Sequence, residues 1–226
     1  MTTILQYLDP LLFAVLPYVA LFTFFLMTIQ RYRAATFTYS SLSSQFLENR
    51  RHFWGMVPFH YGILLVLTGH VLGLLIPDRI LAWNSHPLRL YTLEITGLAL
   101  GLLALVGLVS LLLRRIGTSN VRVVTSPADW ILHALLLLQV GSGVYLAVFH
   151  PWGSSWYAAA AAPYLWSIVK LQPQLGFISA APLAVKLHVT GAFLLVALFP
   201  FTRLVHILVV PNPYLWRKPQ VVRWYR

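Results

Sequence analysis

The chain has 226 residues, of which 59% are hydrophobic and only 9% are charged. Soluble domains carry roughly 25% charged residues, so this composition excludes an ordinary soluble domain and predicts an integral membrane protein. The net charge is +11, but the basic residues collect at the ends of apolar runs, which favours membrane lipid over nucleic acid as the partner. The chain has no cysteine, which excludes disulfides, thiolate-ligated iron–sulfur clusters and a cysteine nucleophile.

Five apolar runs are long enough to cross a bilayer, since a spanning helix needs about 20 predominantly apolar residues. The first ten residues include Asp9 and no Lys or Arg, so the first run is predicted to be a retained span rather than a cleaved signal peptide. The sequence therefore predicts an all-α integral membrane protein with five transmembrane helices in one domain, residues 1–226. The predicted spans are residues 11–29, 54–76, 90–113, 128–149 and 182–210.

The connections between the spans differ in basic charge, and this difference predicts the orientation. By the positive-inside rule, the richer side faces the cytoplasm, which places the N-terminus outside and the C-terminus in the cytoplasm. The poorer side holds Arg79, Arg89, Lys170 and Lys186. The richer side holds Arg31, Arg33, Arg50, Arg51, Arg114, Arg115, Arg122, Arg217, Lys218, Arg223 and Arg226.

The connection between the fourth and fifth spans, residues 150–181, contains three tryptophans and a run of alanines. Tryptophan favours the depth of the lipid headgroups, so this connection is expected to form an interfacial helix on the outer surface.

Four histidines fall inside two of the predicted spans: His60 and His70 in the second, His188 and His206 in the fifth. These two spans run antiparallel, so His60 and His206 are predicted near the inner face and His70 and His188 near the outer face. The two separations differ, because ten helical residues rise about 15 Å and 18 residues about 27 Å. Helix tilt or a bend at Pro200 is expected to absorb the mismatch.

Each level offers two imidazoles and no Cys, Asp or Glu, whereas zinc would want four ligands. A b-type haem needs only two axial histidines, one from each of two helices. The sequence therefore predicts two haem b groups, each with its iron between one pair of histidines. The room beside the ligating helices is expected at Gly62, Gly69, Gly73 and Gly191.

The propionates of a haem need cations at the membrane surface. Arg203 lies three residues before His206 and is the strongest candidate, and Arg114 and Arg115 are weaker candidates at the same depth. The remaining histidines are predicted not to be ligands; they are His52, His86, His133 and His150.

Two stretches carry a resemblance to a known family. FHYGILLVLTGH ends at His70, and LHVTGAFLLVALFPFTRLVHILVVP contains His188 and His206. Both resemble the gamma subunit of respiratory nitrate reductase, a membrane cytochrome b. The Arg-Arg pair after the third span, the Ala-Asp pair opening the fourth and the five-span length also match, so the resemblance covers nearly the whole chain.

The resemblance implies a role in anaerobic respiration in the cytoplasmic membrane of a prokaryote. The subunit would anchor a cytoplasmic pair, an iron–sulfur subunit and a molybdenum catalytic subunit. It would oxidise quinol near the distal haem of His70 and His188. Electrons would then pass to the proximal haem of His60 and His206 and on to the iron–sulfur cluster.

The resemblance also implies a quinol site around His70 and the adjacent Gly69. The family uses a lysine shortly before the third span, where this chain has Arg89. Arginine keeps the positive charge but changes the hydrogen-bonding geometry.

Three alternatives stay open at this point. The same dihaem module could serve another oxidoreductase, including one that reduces quinone. A histidine-lined transporter of protons or metal ions fits less well, because the chain has five acidic residues and no broken-helix repeat. A purely structural anchor leaves four intramembrane imidazoles unexplained.

Overall fold

The computed structural model describes residues 7–40, 43–48 and 50–208. The described residues are helical or irregular and include no strand. The basic residues predicted beyond the last span, namely Arg217, Lys218, Arg223 and Arg226, lie outside the described residues.

Among residues 7–40, 43–48 and 50–208, five helices are long and apolar enough to cross a membrane, which confirms the predicted number of spans. Shorter helices lie between them: α3 (Pro77–Asn84), α5 (Ser119–Val123) and α7 (residues 153–169, with one π-helical turn). The five spanning helices are α1 (Tyr7–Ala34), α2 (Arg50–Leu75), α4 (Pro87–Gly117), α6 (Pro127–Phe149) and α8 (Leu183–Leu198).

Local sequence explains where several helices begin. Pro87 and Pro127 occupy the first turn of α4 and α6, where a missing N–H costs nothing because that N–H has no partner within the helix. Ser126 and Asp129 form a reciprocal capping box at the start of α6, which satisfies two more free N–H groups. These polar starts extend the helices beyond the apolar runs from which the spans were predicted.

Within the predicted fifth span, residues 182–210, the α-helix ends at Leu198. After Leu198 the chain forms a 3₁₀ turn at Phe199–Phe201, becomes extended at Thr202 and forms a second 3₁₀ segment at Arg203–Leu208. Pro200 explains the break, because proline donates no hydrogen bond and its ring clashes with the preceding turn. The chain thus changes direction at Pro200, where a bend was predicted. His206 therefore does not lie on the same α-helix as His188.

Helices α2 and α4 approach most closely, and glycines make this possible. A Cβ atom added to Gly107 of α4 would lie 2.4 Å from the backbone nitrogen of Phe59. One added to Gly62 of α2 would lie 2.6 Å from the backbone nitrogen of Ala104. Small residues at such a seam allow backbones to touch, which is how helices pack within lipid.

The packing order of the spanning helices leaves α2 and α8 facing each other. Helix α2 packs on α4, α4 on α6, α6 on α8, and α8 on α1. One end of this bundle carries Arg31, Arg51, Arg114, Arg115 and Arg203; we call it the arginine-rich end. At the opposite end, the Nζ atom of Lys186 binds both carboxylate oxygens of Asp9 at 2.7 and 2.9 Å.

Helix α7 covers that opposite end of the bundle, and it is the helix predicted in the 150–181 connection. Tyr164 of α7 is fully buried and donates a hydrogen bond of 2.8 Å to the carbonyl of Phe13. The residue four positions after Phe13 is Pro17, which has no N–H to offer that carbonyl. Burial raises the pKa of Tyr164, which keeps this phenol in its donating form.

Candidate functional site

The four intramembrane histidines form two opposed pairs. His60 and His70 lie on α2, His188 lies on α8, and His206 lies in the 3₁₀ segment that follows α8. The ring centroids of His60 and His206 lie 6.4 Å apart, with an interplanar angle of 61°. Those of His70 and His188 lie 6.5 Å apart, with an angle of 35°. The structure thus brings together the same pairs that the antiparallel spans predict, while their role as haem ligands stays a prediction.

The separation within each pair fits two imidazoles that bind one metal ion from opposite sides. A metal–imidazole bond is about 2.0–2.1 Å, and the ring centroid lies about 1.1 Å behind the nitrogen, which places two axial rings about 6.3 Å apart. A direct N–H···N hydrogen bond of about 2.9 Å would place the centroids only about 5 Å apart. The observed 6.4 and 6.5 Å are close to the first separation and larger than the second.

In three of the four histidines the Nδ1 atom meets a backbone carbonyl of the preceding turn. A carbonyl oxygen only accepts, so Nδ1 carries the proton and Nε2 keeps its lone pair for a metal. The distances are 2.8 Å from His60 to Met56, 2.9 Å from His70 to Val66 and 2.5 Å from His206 to Arg203.

His188 reaches the same tautomer by a different route. Its Nδ1 lies 2.9 Å from the hydroxyl of Ser142 on α6, and that hydroxyl donates its own proton to the carbonyl of Gln139 at 3.0 Å. The hydroxyl oxygen must then accept from Nδ1–H, which leaves Nε2 unprotonated. The side-chain nitrogen of Gln139 lies 3.3 Å from that Nε2, a contact that a metal at Nε2 would replace.

Sequence reasoning missed Ser142 and Gln139. Their contacts to His188 join residues 46 and 49 positions apart in the chain. A lone serine and a lone glutamine in an apolar helix carry a weak signal, namely that each needs a hydrogen-bond partner in lipid.

The glycines expected to make room beside the ligating helices behave differently from one another. A side chain at Gly69 would meet nothing within 4 Å, so the expectation holds there. It was wrong for the other three, whose missing side chains admit protein neighbours instead. Gly62 admits the backbone of α4, Gly73 the ring of Tyr157, and Gly191 the side chain of Gln139.

Tyr157 closes one side of the His70–His188 pair. Its ring meets the His70 ring edge-on, with centroids 5.2 Å apart. Tyr157 begins the π-helical turn of α7, Tyr157–Ala161, and such turns are frequent at functional sites. Burial raises the pKa of the Tyr157 phenol.

Each of the three arginines predicted to bind propionates has protein partners in the structure. Arg203 forms an ion pair with Asp129 through Nε and Nη2. Arg114 is buried and bonds to Glu48 and Ser44, which ties residues 43–48 to α4. Arg115 donates to Thr125 at 2.9 Å, while its buried Nε has no partner among the described residues.

Arg89, the candidate for quinol binding, is exposed and interacts with α3. Its guanidinium lies over the ring of Trp83, 5.4 Å from the centroid. Its backbone carbonyl accepts a hydrogen bond of 3.3 Å from the Trp83 indole. His70 and Gly69 are also exposed at the surface of α2.

Of the histidines predicted not to be ligands, His133 is buried and its Nδ1 lies 2.7 Å from the carbonyl of Asp129. His150 packs near Tyr145. Within the part of the chain that the structure describes, no three His, Asp or Glu side chains converge on one point.

The fold and these pairs define a class: a multi-pass integral membrane protein with two opposed imidazole pairs between the same two spans. The family model for the nitrate reductase gamma subunit matches residues 9–225. The chain therefore belongs to the nitrate reductase gamma subunit family.

Curated relatives agree with this membership. The nitrate reductase gamma chain of Bacillus subtilis is 33% identical over 216 residues, covering 94% of this chain and 97% of the relative. The respiratory nitrate reductase 1 gamma chain of Escherichia coli is 32% identical over 224 residues, covering 97% and 99%. A nitrate reductase-like protein of Mycobacterium tuberculosis is 30% identical over 218 residues, covering 92% of this chain and 32% of that longer protein.

Proposed function

We propose that this chain is the dihaem b-type membrane subunit of a quinol-oxidising nitrate reductase. The observation that carries the proposal is the geometry of the two pairs, whose rings lie 6.4 and 6.5 Å apart. In each ring the Nδ1 atom has a hydrogen-bond partner that leaves Nε2 unprotonated. Two such pairs fit two haems and not a single structural metal.

The residues that would hold the groups follow from this geometry. His60 and His206 would bind one haem, and His70 and His188 the other. When bound, the haems would carry single electrons from quinol near His70 and His188, through the His60–His206 level, to an iron–sulfur cluster of a partner subunit. The carbonyl and hydroxyl partners of Nδ1 orient the rings and raise the basicity of Nε2.

The arginine-rich end has the chemistry to receive an anionic propionate. Arg115 supports this most directly, because its buried Nε is a donor without a partner among the described residues. A buried donor left unpaired costs about 1–3 kcal/mol, and a propionate oxygen would remove that cost. Arg203 remains a candidate that would share its guanidinium between a propionate and Asp129, whereas the described contacts of Arg114 hold residues 43–48.

Quinol oxidation is proposed at the surface beside His70. The open space at Gly69 and the exposure of His70 support access from the lipid phase. Arg89, which is exposed at the start of α4, would contribute a cation, and the Tyr157 ring packs edge-on against His70.

The orientation and the partners complete the proposal. The arginine-rich end would face the cytoplasm of a prokaryote by the positive-inside rule, with the N-terminus outside. The gamma-chain names of the relatives imply further subunits of a nitrate reductase, and we propose that an iron–sulfur subunit and a molybdenum catalytic subunit dock at this end. Protons from quinol would then leave on the outside, and each electron crossing the membrane would correspond to about 2.3 kcal/mol per 100 mV.

The test is reconstitution of the purified complex into liposomes with a quinol donor and nitrate as acceptor. The proposal predicts proton release on the outer side and a membrane potential that builds during turnover. Proton release on the cytoplasmic side, or turnover without a potential, would reject it. Copurification of different catalytic subunits would instead favour the same module serving another oxidoreductase.

A further inference from the structure

The break after α8 leaves backbone groups that must find partners. The last carbonyls of an α-helix have no intrahelical donor, and within a membrane the protein itself has to satisfy them. Beyond Leu198 the chain turns through Pro200 and becomes extended at Thr202. The carbonyl of Pro200 thus lies within the first 3₁₀ turn, and that of Thr202 lies at the extended residue between the two 3₁₀ segments.

Arg31 of α1 supplies both carbonyls with a donor. Its Nη1 lies 2.6 Å from the carbonyl oxygen of Pro200 and 3.2 Å from that of Thr202. The same guanidinium is held on its other edges by Thr38, whose hydroxyl and carbonyl accept from Nε and Nη2 at 3.0 Å each. The planar guanidinium of arginine donates these four hydrogen bonds in fixed directions, which the single ammonium group of lysine cannot do.

Tyr39 connects the Arg31 guanidinium back to α1. The guanidinium lies 5.6 Å from the ring centroid of Tyr39, an attractive distance for a cation and an aromatic face. Tyr39 is buried and donates a 2.6 Å hydrogen bond to the carbonyl of Thr28. Contacts with Thr38 and Tyr39 thus hold the Arg31 guanidinium in the position from which it binds the carbonyls of Pro200 and Thr202.

The chain beyond the break is held at a second point. Arg203 pairs with Asp129 of α6, and Val205 is fully buried. The Nδ1 atom of His206 then binds the backbone carbonyl of Arg203. The ring of His206 therefore depends on the path of residues 200–206, and Arg31 fixes the start of that path.

We infer that Arg31 is a positioning residue for His206, although the contacts of its guanidinium are to Thr38, Tyr39, Pro200 and Thr202. It determines where the chain leaves α8 and so how the His206 ring faces His60. The other level needs no such clamp, because His188 lies within the regular part of α8. This inference rests on the proposed haem function for its main readout.

The matched control is Arg33, which is exposed two residues further along α1. Arg31→Ala, Arg31→Lys and Arg33→Ala would be made in the full chain and purified with its copurifying subunits. Three quantities would be measured: haem per chain, the low-spin electron paramagnetic resonance signal of each haem, and hydrogen exchange of residues 203–208.

Arg31→Ala is expected to weaken binding of the haem that His206→Ala removes by about tenfold or more, the scale of outer-shell losses at metal sites. The other haem keeps its wild-type occupancy and signal. Arg31→Lys is expected to retain more of the affected haem with an altered signal, because the charge remains and the fork is lost. Exchange of residues 203–208 should accelerate in both Arg31 variants and not in Arg33→Ala.

Wild-type occupancy and signals for both haems in Arg31→Ala would overturn the inference while leaving the haem proposal intact. Equal loss of both haems would also overturn it, since that is the result of a general folding role. If the wild type bound no haem, the proposed function would fail, and the exchange measurement alone would decide about the clamp: unchanged exchange in the Arg31 variants would reject it.

Discussion

The two histidine pairs have nearly the same ring separation but are held in different ways. His70 and His188 both lie on regular α-helices, and a neutral hydroxyl from a third helix fixes His188. His60 also lies on an α-helix, but His206 follows a break and depends on charged contacts through Arg31 and Asp129. The comparison teaches that one level is built by helix packing and the other by arginine hydrogen bonds, so perturbations should separate the two levels.

The largest separation is expected from the ligands themselves. His60→Ala and His206→Ala should each remove one and the same haem, and His70→Ala and His188→Ala the other. The measurement is the optical difference spectrum of each purified variant. If the His60 and His188 variants lost a common haem, the pairing seen in the structure would be wrong.

Asp129→Ala should act next most strongly, and on the His60–His206 level. The substitution removes the carboxylate that pairs with Arg203. The same carboxylate lies 3.8 Å from the Nη1 atom of Arg115, so Arg115 also loses a nearby negative charge. Removing one member of a buried ion pair costs about 3–5 kcal/mol. Thermal release of each haem would be followed by absorbance, with the exposed Asp78→Asn as the control; equal destabilisation of both haems would contradict the comparison.

Gly107→Val tests whether helix packing also sets the position of His60. The added Cβ would lie 2.4 Å from the backbone of Phe59, the residue before His60. Overpacking typically costs about 1–3 kcal/mol, so a lower melting temperature is expected, with a larger change in the His60–His206 signal than in the other. The control is Gly97→Val on the same helix, where an added Cβ has no neighbour within 4 Å. It should leave the melting temperature and both haem signals unchanged.

Ser142→Ala should have the smallest effect, confined to the His70–His188 level. It removes the acceptor of the His188 Nδ1 proton, which lowers the basicity of Nε2. The midpoint potential of that haem should rise, because a less basic ligand stabilises the oxidised iron less. Redox titration with Ser110→Ala as the control would show this, and a shift of the other haem instead would refute the assignment of Ser142.

Much of the fold could be predicted because its signals are local. Apolar runs of sufficient length predict the spans, and the two spans that lie between the histidine helices predict that these helices run antiparallel. The pairing of His60 with His206 and of His70 with His188 follows from that alone. Proline chemistry also predicts a disturbance at Pro200.

The remainder depends on contacts between distant residues. Arg31 reads as a topological charge until the structure places it against Pro200, 169 positions away. Arg203 is a predicted propionate ligand, but the sequence does not reveal its ion pair with Asp129, 74 positions earlier. Gly62 reads as room for a cofactor, because the sequence does not reveal that α4 fills the space. The apolar pattern of the sequence predicts which helices exist. The hydrogen-bond partners of the polar side chains can be identified only when the arrangement of those helices in space is known.

The central claim is that each imidazole pair holds one haem. The most direct measurement is a reduced-minus-oxidised optical spectrum of the purified complex, with haem quantified per copy of this chain. The account predicts two b-type haems per chain with distinguishable redox behaviour. A complex with intact subunits and no haem, or with a single haem per chain, would contradict it.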